Sequence, residues 1–153
     1  MQRSANVIWK GSVQQGQGAI STTSGALKQI PYSFTTRFGD TPGTNPEELI
    51  AAAHASCFAM ATSAALTAKG LEPLNLDVKA TVTIQKDGAS WTVTSSHLEL
   101  RGQVNDVTQG QFLEIAEDAK RNCPISKLLN AEISLDARLD ERDERPWAPP
   151  PAH

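Results

Sequence analysis

Cys57 and Cys123 are the only cysteines of this 153-residue chain, and no other side chains in it have so wide a chemical range. A thiol can pack as a small hydrophobe, while a thiolate is a nucleophile, a metal ligand and a redox centre. The two stand far apart in sequence, with no C-x-x-C pairing. His54, Cys57, His97 and Cys123 form a conceivable zinc set, but one without the paired spacing that marks such sites. In a reducing compartment a permanent disulfide is not expected, which leaves inert buried thiols or redox-active ones.

Local context treats the two thiols differently. Cys57 lies mid-helix among alanines, where the helix dipole gives a thiolate little help. It needs a cation brought from elsewhere, and Arg37 is the nearest candidate. Cys123 precedes Pro124; if the proline opens a short helix, Cys123 is its N-cap and the positive dipole end favours its thiolate. By electrostatics alone Cys123 is therefore the more acidic thiol. His54, one turn before Cys57, is either a base for it or a packed histidine.

The adjacent glutamates separate by geometry. Asn45-Pro46-Glu47-Glu48 gives an N-cap, a proline at the first helical position, and Glu48 placed to close a capping box. At 100° per residue Glu48 falls on the side of the helix opposite Cys57, whereas Glu47 shares a broad face with it. Glu47 still lies about 15 Å away along the axis and cannot touch the thiol. Its available role is to hold an arginine.

Other elements must position these groups. The helix opened at Asn45 runs to Lys69-Gly70, about 24 residues rich in alanine, and its small apolar residues predict burial on most sides. A single small domain can hardly bury it, so dimerisation near this helix is expected. Upstream, 6–14, 19–23 and 26–30 read as strands, Gln15 to Gly18 as a turn, Pro31 to Phe38 as extended and Gly39 to Thr44 as a loop. Downstream, Leu74 to Gln85 and Ser90 to Leu100 form a hairpin around Lys86-Asp87-Gly88. Thr108 to Asn122 is an amphipathic helix, Ile125 to Leu129 a short one, and Ala131 to Leu139 a last strand. This order predicts an α+β class.

Composition narrows the function. A net charge of −3 and a pI near 5.6, without a Lys/Arg cluster, argue against nucleic acid as a partner. The N-terminus has no apolar signal core, and the alanine-rich stretch from Leu49 to Ala68 is too weakly hydrophobic for a membrane span. The expectation is a cytoplasmic protein with one domain over residues 1–139. The charged, proline-rich remainder, 140–153, reads as a disordered tail.

Four stretches, in order, resemble the OsmC/Ohr family, the osmotically inducible protein C and organic hydroperoxide resistance proteins. They are STTSGAL (Ser21 to Leu27), IPYSFTTRF (Ile30 to Phe38), GTNPEELIAAAHASCFAMA (Gly43 to Ala61) and NCPISKLLNAEISLDARL (Asn122 to Leu139). Ile125 in CPIS, where the Ohr branch typically has tyrosine, and His54 in AAAHASC are similar to the OsmC branch. The resemblance implies antiparallel sheets around a long buried central helix in an intertwined homodimer, with the sites at the interface. It also implies a cysteine peroxidase acting on organic hydroperoxides without metal, flavin or haem. Cys57 matches the attacking cysteine, Cys123 the resolving one, Arg37 the activating arginine and Glu47 its holder; a dithiol, by resemblance a lipoyl-bearing protein, would reduce the disulfide. A non-catalytic dimer that binds a small apolar ligand and keeps inert cysteines is the alternative.

Overall fold

The computed structural model describes residues 1–140. Strands β1 (Ala5–Lys10), β2 (Gln17–Thr22) and β3 (Ile30–Ser33) form an antiparallel N-terminal sheet in that order. A short helix α1 (Phe34–Phe38) leads to the long α2 (Pro46–Ala68). A second sheet has the order β4 (Pro73–Asp87), β5 (Ser90–Val104), β6 (Glu132–Leu139), with helices α3 (Gln109–Asn122) and α4 (Pro124–Leu128) between its last two strands.

The α+β class is as expected, with one departure in pairing: β5 and β6 run parallel. Parallel neighbours need a crossover, and α3 with α4 supplies it. The β4–β5 hairpin turns at Gly88, whose φ of 58° suits glycine. Its alternation changes phase between Val93 and Leu98 because Thr83 pairs with Ser95 while Ile84 pairs with Val93. That shift is a β-bulge at Thr94. Beyond it Ser96, Leu98, Leu100 and Gly102 point inward at period two.

Asn45 caps α2 as its sequence predicts, its side chain accepting from the Glu48 N–H at 2.9 Å, and Pro46 is the first helical residue. Lys69 closes the helix and Gly70 follows at φ 77°. Within one chain, however, α2 is not buried on most sides. It buries a single stripe, His54, Phe58, Thr62 and Leu66, at a spacing of four residues. The stripe meets Leu98 and Leu100 of β5, Phe112, Ile115, Ala116 and Ala119 of α3, and Ala137 of β6. Each fully buried Phe or Leu contributes about 1.5–3 kcal/mol. Packing on this sheet, more than helix propensity, therefore fixes α2. By length and composition α2 could cross a membrane, yet its inward stripe carries His54 and Thr62, and the helix lies on β4 and α3.

The opposite face of α2 is exposed at Ala52, Ala53, Ser56, Met60 and Ala64. The N-terminal sheet is likewise uncovered: all six residues of β1 are exposed, Val7, Ile8 and Trp9 among them. Two local expectations change here. Gly18 belongs to β2, not to a turn, because the Trp9 and Tyr32 rings close over it; a Cβ there would meet Trp9 Cε3 at 2.8 Å. Residues 26–29 form a bend, and the strand begins only at Ile30. Asp140, taken as the first tail residue, is held: its N–H donates to the Gly102 carbonyl and its carboxylate pairs with Arg101 at 2.8 Å. The rest of the expected tail lies outside the described residues.

Candidate functional site

Arg37 rides on α1, not on the extended segment expected between Pro31 and Phe38. Ser33 and Thr36 form a reciprocal capping box that bends the chain into one helical turn immediately after β3. Thr36 Oγ1 donates to the Thr44 carbonyl and Asn45 Nδ2 to the Thr36 carbonyl, so α1 is tied to the loop that starts α2. Phe38 stacks on Trp91 of β5 with ring centroids 4.9 Å apart. The Arg37 guanidinium carbon lies 4.9 Å from the centroid of the Phe38 ring.

From this mount Arg37 reaches Glu47. Its Nη2 donates to Oε1 at 2.7 Å, and its Nε lies 3.2 Å from each carboxylate oxygen. Glu47 is 12% exposed and sits in the first turn of α2, where the helix dipole favours negative charge. Glu48 is exposed, and only its N–H takes part in the cap. The capping box expected of Glu48 is thus a single bond from its backbone, and of the two glutamates only Glu47 engages Arg37.

Cys57 is partly exposed and Cys123 is fully buried; both are free thiols. They come from different elements, α2 and the joint between α3 and α4, and their sulfurs lie within hydrogen-bonding reach of each other. Burial pushes the Cys57 thiol above its ordinary range, and its bond to Cys123 and the charge there push it further. For Cys123 burial also acts upward, but hydrogen bonds from Cys57, from the Ser126 N–H and hydroxyl, and from the Ile125 N–H outweigh it. The net direction is down. No cap bond of ordinary length closes from Cys123 to α4, so these contacts act as a cluster of donors around the sulfur. Of the two sulfurs, the buried one is pushed toward acidity and the accessible one away from it.

His54 lies one turn from Cys57 with its ring wholly buried. Nδ1 is 2.7 Å from Ser96 Oγ on β5, and Nε2 is 2.9 Å from Ser126 Oγ on α4. Burial lowers its pKa and keeps the ring neutral. Both serines escaped the sequence reading. Ser126 lies within the CPIS stretch, three residues after a cysteine at a helix start, and that spacing is the one signal that pointed to it.

One chain therefore assembles two separate pairs, Arg37 with Glu47 and Cys57 with Cys123. They stand apart along α2 by the ten residues from Glu47 to Cys57, about 15 Å. The conceivable zinc set is not assembled either: His97 Nδ1 meets Ser134 Oγ at 2.7 Å, and no group of three potential ligands comes together among the described residues.

Comparison with known proteins agrees with this architecture. The family model described as OsmC-like protein matches residues 38–138. The Escherichia coli K12 protein named peroxiredoxin OsmC is 44% identical over 131 residues, covering 86% of this chain and 92% of that protein. In structure, the organic hydroperoxide resistance protein OhrB of Bacillus subtilis superposes with a TM-score of 0.66 at 22% identity, over 90% of this chain and 98% of that one. An OsmC-like protein from Mycoplasma pneumoniae gives 0.71 at 11% identity, over 92% and 99%. At such identities the likeness is one of fold.

Proposed function

Because this chain belongs to the OsmC-like protein family, we propose that it is a thiol peroxidase that reduces organic hydroperoxides with Cys57 and Cys123. One observation carries the reading: a partly exposed thiol lies within hydrogen-bonding reach of a fully buried one. The exposure of Cys57 supports it as the thiol that meets the substrate, whatever the order of acidity, and the burial of Cys123 beside it supports that thiol as the one that traps what forms there.

In the proposed cycle the Cys57 thiolate attacks the terminal oxygen of the peroxide. The O–O bond breaks, an alcohol leaves, and Cys57 becomes a sulfenic acid. Cys123 condenses with it, water departs, and the disulfide protects Cys57 from further oxidation. An external dithiol, as on a lipoyl-bearing protein, restores both thiols by exchange. The cytoplasm, where dithiols keep cysteines reduced, suits such a cycle. The chemistry runs on sulfur alone.

Arg37 is the cation this cycle requires, to stabilise the thiolate and then the charge on the leaving oxygen. Its own chain holds it too far along α2 to serve its own Cys57. A homodimer with α2 helices running antiparallel brings the Arg37–Glu47 pair of one protomer onto the Cys57 of the other. The exposed small-residue face of α2 and the uncovered N-terminal sheet support that assembly.

Free-thiol counts and peroxide consumption with a single hydroperoxide addition test the reading. Cys57→Ser abolishes consumption, and Cys123→Ser consumes about one equivalent and stops, the stoichiometry of an unresolved sulfenic acid. Full turnover by Cys57→Ser protein overturns the assignment.

A further inference from the structure

We propose that His54 orients the Ser126 hydroxyl as a hydrogen-bond donor to the Cys123 sulfur, stabilising the thiolate that forms as the disulfide closes, so that both are positioning residues for the resolving step. The inference rests on the peroxidase reading above and deepens it.

The geometry runs in one line. Ser96 Oγ, His54 Nδ1, His54 Nε2 and Ser126 Oγ are joined by contacts of 2.7 and 2.9 Å. Ser96 and His54 are wholly buried. Ser126 occupies the first turn of α4, whose N-cap is Cys123, and its hydroxyl lies beside the Cys123 sulfur. A neutral imidazole has one donor and one acceptor nitrogen. When the Ser126 hydroxyl donates to sulfur, its oxygen must accept from His54, so Nε2 carries the ring proton. Nδ1 then accepts from Ser96. All three hydrogens point the same way, from Ser96 through His54 and Ser126 to Cys123. In the reverse order Ser126 donates to His54 and the sulfur loses a donor. No buried side-chain polar atom among the described residues lacks a partner, so the line has no competing demand to satisfy. Burial, by keeping His54 neutral, keeps the line directional.

Such a line matters because the resolving step consumes a thiolate at a site shut off from water. The Cys123 sulfur attacks the sulfenic sulfur of Cys57, the S–S bond forms and the S–O bond breaks. The departing hydroxide takes a proton from solvent at the exposed Cys57 side and leaves as water. The Cys57 sulfur is reduced and the Cys123 sulfur oxidised to the shared disulfide level. A neutral Cys123 would first have to shed its proton in a dry pocket.

The test reads the two steps separately after rapid mixing with one equivalent of an organic hydroperoxide: peroxide consumption for the first, loss of free thiols to disulfide for the second. In Ser126→Ala the ratio of closure rate to oxidation rate falls about tenfold or more, as expected when one hydrogen bond to a charged group is lost. Ser126→Thr, which keeps the hydroxyl, restores most of the ratio. In a Cys57→Ser background without peroxide, the ultraviolet thiolate absorbance of Cys123 titrates at higher pH once Ser126→Ala is added. An unchanged ratio, a Thr variant as slow as the Ala one, or an unshifted titration overturns the relay. Absence of the first step in the unmodified protein overturns the peroxidase reading instead, and the thiolate titration still decides the relay.

Discussion

Arg37 and Glu47 lie on different helices, ten residues apart, and meet through a guanidinium nitrogen 2.7 Å from a carboxylate oxygen. Two separate capped helix starts, at Ser33 and at Asn45, aim them at each other. The carboxylate fixes the direction of the guanidinium, as the charge-stabilising role proposed for Arg37 requires.

Glu47→Gln should therefore slow the reaction of Cys57 with an organic hydroperoxide by roughly 10- to 100-fold, the cost of losing a hydrogen bond to a charged group. Arg37 is 36% exposed, so the folding free energy should change by less than about 1 kcal/mol. Peroxide reactivity is read by rapid mixing and stability by urea titration. A variant that unfolds readily while reacting at the normal rate would show the pair to be purely structural.

Met60 stands 76% exposed on the bare face of α2. Within one chain Met60→Glu costs almost nothing, since the side chain packs on nothing there. Across an antiparallel α2 contact it buries unpaired charges facing each other. Sedimentation equilibrium at micromolar concentrations should find the unmodified protein dimeric and the variant monomeric, with peroxide reactivity lost in parallel as the partner's arginine is withdrawn. A Met60→Glu dimer as tight as the original would remove α2 from the interface.

Burial holds His54 below its ordinary pKa of 6.5. The unfolded chain therefore takes up the proton at a higher pH than the folded one, and between the two values it binds more protons. Stability from this source is complete above about pH 6.5 and is lost as the pH falls below it. Urea midpoints at about pH 7.5 and about pH 5.5 should differ more for the unmodified protein than for His54→Gln, which cannot titrate. Equal differences in both would place the pH dependence in other groups.

Features carried by neighbours in the chain could be read before the fold was known. The Asn45-Pro46 start of α2, the hairpin around Gly88, the face of α3 and the separation of Glu47 from Glu48 all follow from local spacing. The α1 turn was not legible, because its aromatic and β-branched residues favour strand until the Ser33–Thr36 box overrides them. The partners of His54 were out of reach for another reason: Ser96 and Ser126 lie on other elements, and nothing in the spacing around His54 names them. Cys123 could be seen as the residue before a helix start, but the Cys57 and Ser126 side chains beside its sulfur could not. Its total burial depends on how α3 and α4 cross from β5 to β6, which local pattern does not show.

That the two sulfurs adjoin while both are still free thiols has a bearing on what can reopen a bond between them. The fold has already paid the entropy of bringing them together, so each thiol confronts the other at a high effective concentration. A single small thiol that attacks the disulfide is expelled by the neighbouring cysteine before a second molecule arrives. A reductant carrying two thiols on one arm closes its own ring at the same moment and escapes that back-reaction. In the proposed cycle, the placement of α2 against the start of α4 thus favours a dithiol as electron donor.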